Sequence, residues 1–381
     1  MNWPAFILRT AIALPLLGAL GFATWIALLP PRSTAERAQP IPTAEQARIL
    51  SALAYRGSGR PVVAVVGINN ATETTDYLMT YGILRRAGIA DVVAVATAPG
   101  PVQLYPALKV MPDATTAQFD AHHPGGADYV VVPAMQPSDD AAVLHWIRAQ
   151  AHKGAVVISV CVGTLVVAEA GLLDGKRATT HWYVLQDLER RHPAVRYVPD
   201  RRIVVDGGVA TTTGITASMP MMLTLIEAIS GHAKAVAMAR ELGVDHWDAR
   251  HDSAAFRLDR PFVLTVMRNK LALWRRETLG IAVKPGVDEV SLALTADAWS
   301  RTYRSRVSTF SDQAEVATRS GLRIIPDRTG TQWPASRIVK IGNLPPAQAL
   351  DQTLDAIARR YGVATASVVA MQLEYPGWAA N

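Results

Sequence analysis

The chain has one cysteine, and its neighbours suggest chemistry. Cys161 lies between Ser159 and Gly163 in V-V-I-S-V-C-V-G-T-L-V-V-A-E-A-G-L-L, residues 156–173. The pattern Ser-x-Cys-x-Gly has the form of a nucleophile elbow, a sharp strand-to-helix turn that presents a reactive side chain. The amides that begin the following helix, Val162 among them, would favour a thiolate and hold an oxyanion. The alternative is an inert cysteine that packs as a small buried hydrophobe.

The elements around this cysteine alternate between two patterns. Short apolar runs, typical of strands buried on both faces, are followed by amphipathic runs with helical spacing. The apolar runs cover residues 62–66, 92–96, 129–132 and 155–160, and the helical runs include 75–87 and 141–153. The alternation predicts an α/β fold with a parallel sheet covered on both faces. Such sheets bind ligands beyond the carboxyl ends of their strands, where Cys161 is expected.

Composition excludes several classes of protein. At 381 residues, the chain is long enough for about two domains. Its net charge of +6 is spread without a long basic run, which gives no argument for nucleic-acid binding. A single cysteine excludes an intrachain disulfide framework and a cysteine-rich zinc site. We expect neither a metal nor a cofactor.

The N-terminus carries a long apolar segment. Residues 11–29 contain no charged side chain, and a bilayer core is crossed by roughly 20 apolar residues in a helix. The sequence predicts a single-pass transmembrane anchor over residues 1–30 and a linker over 31–59. The segment is similar to an uncleaved export signal, which places the globular part outside the cytoplasm. A cleaved signal peptide and a buried helix of a soluble protein are the alternatives.

Residues 61–231 resemble the DJ-1/PfpI superfamily, which has a class I glutamine amidotransferase-like fold. The resemblance is carried by A-V-V-I-S-V-C-V-G-T-L-V-V-A-E-A-G-L-L-D-G-K-R-A-T-T-H-W (155–182) and by G-G-V-A-T-T-T-G-I-T (207–216). The branch is that of isonitrile hydratases and of the sensor half of GlxA-like AraC-type regulators. The resemblance implies a flavodoxin-like, doubly wound parallel sheet in a domain spanning 60–231. It also implies a small-molecule ligand or substrate and a possible homodimer.

The resemblance also assigns partners to the cysteine. Family members carry an acidic residue on the first helix, and Asp76 matches that position, with Glu73 as second choice. A carboxyl group beside a thiolate has a raised pKa, and it can then stay protonated and donate a proton. His181 matches a histidine near the cysteine and would serve as a base or would orient the other groups.

Three departures from the family narrow the chemistry. Protease-like members carry a histidine directly after the cysteine, where this chain has Val162, so we do not predict a peptidase. Isonitrile hydratase-like members usually carry a threonine at the same position, which argues against that exact chemistry. The family's Pro-Gly-Gly turn is Pro-Ala-Met here, residues 133–135. The amide of Ala134 remains available there, with that of Val162, to stabilise an oxyanion.

The C-terminal third predicts a helical connector over 232–285 and a degenerate partial α/β repeat over 286–381. V-Q-L-Y-P-A-L-K-V-M-P-D (102–113) aligns with V-A-T-R-S-G-L-R-I-I-P-D (316–327). This second copy has no cysteine. We find no helix-turn-helix unit like that of the regulators, so no nucleic-acid partner is expected.

Together these features favour a membrane-anchored protein that uses Cys161 for hydrolase- or hydratase-like chemistry on a small molecule, or for thiol sensing. The alternative is a non-catalytic ligand-binding sensor that is related to the regulators but lacks their DNA-binding unit. A structural membrane protein with an inert Cys161 is the third possibility.

Overall fold

A computed structural model describes residues 18, 20–31, 38–330, 332–376 and 378. The described residues of helix α1 are 18 and 20–28. The other helices are α2 (Thr43–Leu53), α3 (Thr74–Ala87), α4 (Thr116–His122), α5 (Ala141–His152), α6 (Gly163–Glu169), α7 (Leu185–Arg191), α8 (Ser218–Ser230), α9 (His232–Leu242), α10 (Arg260–Leu271), α11 (Glu289–Ser300), α12 (Pro346–Tyr361) and α13 (Val363–Gln372). The strands are β1 (Val62–Gly67), β2 (Asn70–Glu73), β3 (Asp91–Ala96), β4 (Val102–Tyr105), β5 (Lys109–Met111), β6 (Ala114–Thr115), β7 (Tyr129–Val132), β8 (Val156–Ser159), β9 (Arg177–Ala178), β10 (Arg196–Tyr197), β11 (Ile203–Asp206), β12 (Val209–Thr212), β13 (Glu277–Ala282), β14 (Ser305–Ser311), β15 (Val316–Ala317), β16 (Arg323–Ile324), β17 (Arg328–Thr329) and β18 (Ile338–Val339).

The first part of the chain, by which we mean the described residues up to 231, contains a sheet of seven strands. Within these residues the strand order is β11-β12-β8-β7-β1-β3-β6. All neighbours pair in parallel except β11 with β12. The central strands are apolar because both of their faces are covered: Val63 to Val66 in β1 and Val130 to Val132 in β7 are fully buried. The α/β fold with a doubly wound parallel sheet is therefore confirmed.

The second part of the chain, by which we mean the described residues after 231, contains a parallel sheet whose strand pairing is like that of the first sheet. In it β13 pairs in parallel with β14, and β14 with β17, as β1 pairs with β3 and β3 with β6. The short strands β15 and β16 are antiparallel, as are β4 and β5. Strand β16 also pairs with β5 in antiparallel register, so that Val110 lies opposite Ile324, its counterpart in the aligned sequences. The two parts therefore share one five-stranded sheet, in the order β15-β16-β5-β4-β2 within the described residues.

Helices α3 and α11 pack closely across the same junction. A Cβ added to Gly82 would come within 2.4 Å of a Glu289 carboxylate oxygen, so glycine is needed there for the close approach. Arg86 donates to Asp288 at 2.7 Å and to Glu289 at 2.6 Å. The apolar side chains on both sides belong to one continuous core.

The prediction of a transmembrane anchor over residues 1–30 is wrong for the part of the chain that the structure describes. No helix there is long and apolar enough to cross a bilayer. Ile26 packs instead against the apolar cluster formed by Phe262, Val263 and Val368. The predictions of a single-pass membrane location and of the membrane as a partner are therefore not supported. Residues 1–17 and 19 of the predicted anchor lie outside the described residues.

Candidate functional site

Cys161 lies at the sharp turn between β8 and α6. Its φ of +58° is in the left-handed region, which is the strained backbone predicted for a nucleophile elbow. Gly163 permits the turn, because a Cβ at that position would lie 2.2 Å from the Val132 carbonyl oxygen. The Cys161 amide donates to Thr212 Oγ1 at 3.2 Å, and Thr180 Oγ1 donates to the Cys161 carbonyl at 3.3 Å. The elbow is thus held from both sides.

The cysteine borders a cavity of about 330 Å³ at the carboxyl end of the central sheet. Cys161 is 3% exposed, so ligand access is through this cavity. The lining is rich in aromatic side chains and includes residues from both parts of the chain: Ala71, Glu73, Tyr105, Ala134, Met135, Gln136, Val162, His181, Trp182, Tyr183, Val184, Ile215, Phe262, Arg301, Tyr303 and Gln372. The volume suits a small ligand.

Asp76 lies in the first turn of α3 and is fully buried. Its Oδ2 accepts a hydrogen bond from the Ala134 amide at 3.0 Å, and its buried Oδ1 has no partner among the described residues. Burial raises the pKa of Asp76 well above its ordinary value, and the neighbouring Glu73 carboxylate raises it further. The raised pKa favours the protonated form of Asp76, which can donate its proton.

Glu73 connects this acid to a buried arginine. It caps α3 by accepting from the Asp76 amide and from Thr75 Oγ1, each at 2.6 Å. Its other oxygen accepts from Arg301 Nη2 at 2.9 Å, and Arg301 Nε donates to both oxygens of Asp297 at 2.8 Å. Burial raises the pKa of Asp297 to about 7, although Arg301 opposes the change. A buried network of acids and one arginine thus reaches the cavity, where Glu73 and Arg301 form part of the wall.

The pKa of the Cys161 thiol is shifted in the direction opposite to the one expected from the sequence. Burial raises the pKa of Cys161 well above its ordinary value, and the carboxyl groups of Asp76 and Glu73 raise it further, so the resting form is the thiol. The N-terminus of α6 was expected to favour the thiolate, but that helix has only seven residues. Its dipole is outweighed by desolvation and by the nearby acids.

His181 lines the cavity, but its ring is held by backbone groups. Nδ1 accepts from the Tyr183 amide at 3.1 Å, which leaves the proton on Nε2, and Nε2 donates to the Gln372 carbonyl at 3.0 Å. With both nitrogens engaged, the geometry disfavours His181 as the base and favours an orienting role.

The two predicted oxyanion donors differ in their availability. The Ala134 amide already donates to Asp76. The Val162 amide follows Cys161 at the start of α6, and no acceptor for it exists among the described residues. Val162 therefore provides the free N–H beside the sulfur.

Sequence reasoning missed two charged residues of the second part of the chain. Arg301 reaches the cavity from the end of α11. Glu374, which is 3% exposed, accepts from the amides of Trp182 at 2.7 Å and Gly214 at 2.5 Å, and so fixes two loops of the site. Neither residue belongs to a recognisable motif. A buried pair of acids such as Glu73 and Asp76 does indicate that a cation lies nearby.

Comparison with known proteins finds relatives of part of this chain. Residues 62–228 match the DJ-1/PfpI family. An isonitrile hydratase from Pseudomonas putida is 45% identical over 109 residues, which are 28% of this chain and 44% of that protein. The HTH-type transcriptional regulator CdhR from Pseudomonas aeruginosa is 33% identical over 111 residues, 29% of this chain and 33% of the regulator.

These matches span less than half the length of either relative. Among solved structures, a DJ-1 superfamily protein from Salmonella typhimurium aligns with a TM-score of 0.43 and 25% identity, over 49% of this chain and 100% of its own. Residues 62–228 form a domain of the DJ-1/PfpI family.

Proposed function

We propose that this protein is a cysteine-dependent enzyme of hydratase or hydrolase type that acts on a small, uncharged electrophile. One observation carries the proposal: the strained Cys161 borders a small cavity, and the carboxyl of the buried Asp76, whose own pKa is raised, lies near enough to raise the pKa of the thiol. The aromatic side chains of the lining favour an apolar substrate body. A carbon in a nitrile-like or carbonyl multiple bond is the reaction centre that fits these groups.

The reaction has two steps. With a nitrile-like substrate, the Cys161 sulfur forms a bond to the electrophilic carbon as one bond of the carbon–nitrogen multiple bond breaks; Asp76 gives its proton to the substrate, and the thiol proton goes to Asp76. Water then adds its hydroxyl group to the same carbon and its other proton to the nitrogen. The C–S bond breaks as the hydroxyl group becomes a carbonyl, and the hydroxyl proton goes to the sulfur. The sum is the addition of one water molecule. The free Val162 amide stabilises negative charge that develops beside the sulfur. The similarity to isonitrile hydratase supports this class of reaction.

A second candidate is a non-catalytic sensor that binds a small molecule in the same cavity. Two observations favour it: the raised pKa of Cys161 and the engagement of the Ala134 amide by Asp76, which together leave a weak nucleophile and one free oxyanion donor. The similarity to CdhR within the same domain agrees with a sensing role.

Turnover on a panel of small isonitriles, nitriles and aldehydes separates the two candidates. For the enzyme we expect product from the wild-type chain, complete loss in Cys161→Ser, and a loss of at least about a hundredfold in Asp76→Asn, the scale of lost proton transfer. The exposed Asp245→Asn is the matched control and should retain full activity. Equal activity in Cys161→Ser would refute the enzyme, and saturable binding without turnover would support the sensor.

A further inference from the structure

A second concavity lies beside the thiol cavity, at the end of the second sheet. It has a volume of about 630 Å³ and shares two side chains, Tyr105 and Tyr303, with the thiol cavity. Five basic side chains of the described residues line it, and we call them the basic pocket: Lys270, Arg276, Arg304, Arg306 and Arg337. They come from α10, from β14 and from the loops beside β13 and β18, so the fold brings together cations that are distant in sequence.

The basic pocket lacks compensating negative charge. Glu277 is the carboxylate that lines it within the described residues, and Arg360 neutralises this group from outside with contacts of 2.8 and 2.6 Å. None of the five cations forms an ion pair with a carboxylate in the described part of the chain. By contrast, surface arginines elsewhere do, as Arg323 does with Glu315 at 3.0 Å.

Two of the five cations, Arg304 and Lys270, are held in place by aromatic rings. Arg304 packs over the Tyr361 ring at 5.1 Å, and its buried Nε has no acceptor among the described residues. Lys270 lies 5.0 Å from the centre of the Tyr303 ring. Both side chains are therefore held at the wall of the concavity, which reduces the entropy lost when they bind a ligand.

We propose that the basic pocket binds a small molecule that carries two or more phosphate groups. Clustered like charges repel one another, and an anionic ligand relieves that repulsion. Guanidinium groups match phosphate oxygens in bidentate geometry, and four of the five cations are arginines. The volume lies in the range of small-molecule sites. Because the cations converge on one concavity, the site fits a compact polyanion better than an extended nucleic-acid backbone. The proposal uses none of the thiol chemistry.

Calorimetric titration of the full-length chain with inorganic pyrophosphate and with ATP tests this site. We expect saturable binding that weakens as salt is added, and about tenfold weaker binding in Arg306→Gln/Arg337→Gln, since charge-assisted bonds to phosphate are lost. Both side chains are exposed, so the double variant should fold. The control Arg190→Gln/Arg323→Gln removes the same charge from exposed arginines that pair with Asp187 and Glu315. This control should bind like the wild type.

Three results would overturn the proposal. The first is the absence of saturable binding of either phosphate compound. The second is an equal loss of affinity in both double variants, which would mean that only net charge matters. The third is tighter binding of a short DNA duplex that displaces pyrophosphate, which would make the surface a nucleic-acid contact.

Discussion

Cys161 and Asp76 begin the proposed reaction as neutral groups. Each is buried, and burial raises the pKa of both groups; the Asp76 carboxyl raises the pKa of Cys161 further, so ionising both at once is strongly disfavoured. A thiol beside a protonated acid has low background reactivity toward general electrophiles. It becomes reactive when a bound substrate accepts the Asp76 proton while sulfur attacks. This coupling gives selectivity for substrates that fit the cavity.

The pH dependence of Cys161 alkylation tests this pair. Because the chain has one cysteine, iodoacetamide labelling followed by mass spectrometry reports on Cys161 alone. In the wild type, labelling should rise with pH and reach its midpoint above the ordinary thiol range of about 8.5. In Asp76→Asn the midpoint should move to lower pH, with several-fold faster labelling near pH 8, since no charge at residue 76 then opposes the thiolate.

The sign of this shift is diagnostic. The largest contribution to the raised pKa of Cys161 is burial, which Asp76→Asn leaves in place, so the midpoint should not fall to that of a free thiol. Asp245→Asn should label like the wild type. A midpoint that moved upward in Asp76→Asn, or one below the free-thiol range in the wild type, would contradict the neutral pair.

Part of this site could be predicted from sequence. The spacing of Ser159, Cys161 and Gly163 indicates the elbow, because a strand-to-helix turn is a local feature. The protonation state of the thiol could not be predicted, since it depends on burial and on carboxyl groups from another helix. Arg301 lies 140 residues beyond Cys161 in the chain and enters the site only through packing of the two parts.

At the scale of elements, the contact between α3 and α11 positions the acids of the site. Asp76 and Glu73 lie at the start of α3, while Asp297 and Arg301 lie at the end of α11. The two helices approach closely at Gly82. A shift of one helix along the other would separate Glu73 from Arg301. The strands of the first sheet were predictable from apolar runs, but this contact was not, because no local pattern encodes it.

Arg86 is the ion-pair residue that holds this contact. Its side chain is 5% exposed and bonds to Asp288 and to the fully buried Glu289. We expect Arg86→Met to lower the free energy of unfolding by about 3–5 kcal/mol, because a buried carboxylate loses its counter-charge. Urea unfolding followed by circular dichroism measures the change.

An exposed ion pair provides the comparison for Arg86. Arg323 pairs with Glu315 at the surface, with about half of its side chain exposed (51%). Arg323→Met should change the free energy of unfolding by less than about 1 kcal/mol. Equal effects of the two substitutions would mean that the α3–α11 contact does not depend on the buried pair.

Across the whole molecule, the second part of the chain is placed against the first as a symmetric partner would be. Val110 pairs with its counterpart Ile324 in antiparallel strands, which is the self-complementary contact of a two-fold interface. Helix α3 packs against α11, the helix that lies at the same spacing before the aligned segment. The second part carries no cysteine, but it supplies Phe262, Arg301, Tyr303 and Gln372 to the cavity of the first.

This internal pairing predicts the oligomeric state. The resemblance to the DJ-1/PfpI superfamily implies a homodimer, yet β16 and α11 already cover the face formed by β5 and α3, and a second chain would have to displace them from a continuous core. We therefore expect a monomer of about 41.0 kDa by size-exclusion chromatography with light scattering, unchanged as protein concentration rises. The contrary result is a stable species of twice that mass in which amide exchange at residues 109–111 slows on association. It would place a dimer interface on this face and show that β16 and α11 do not occupy it.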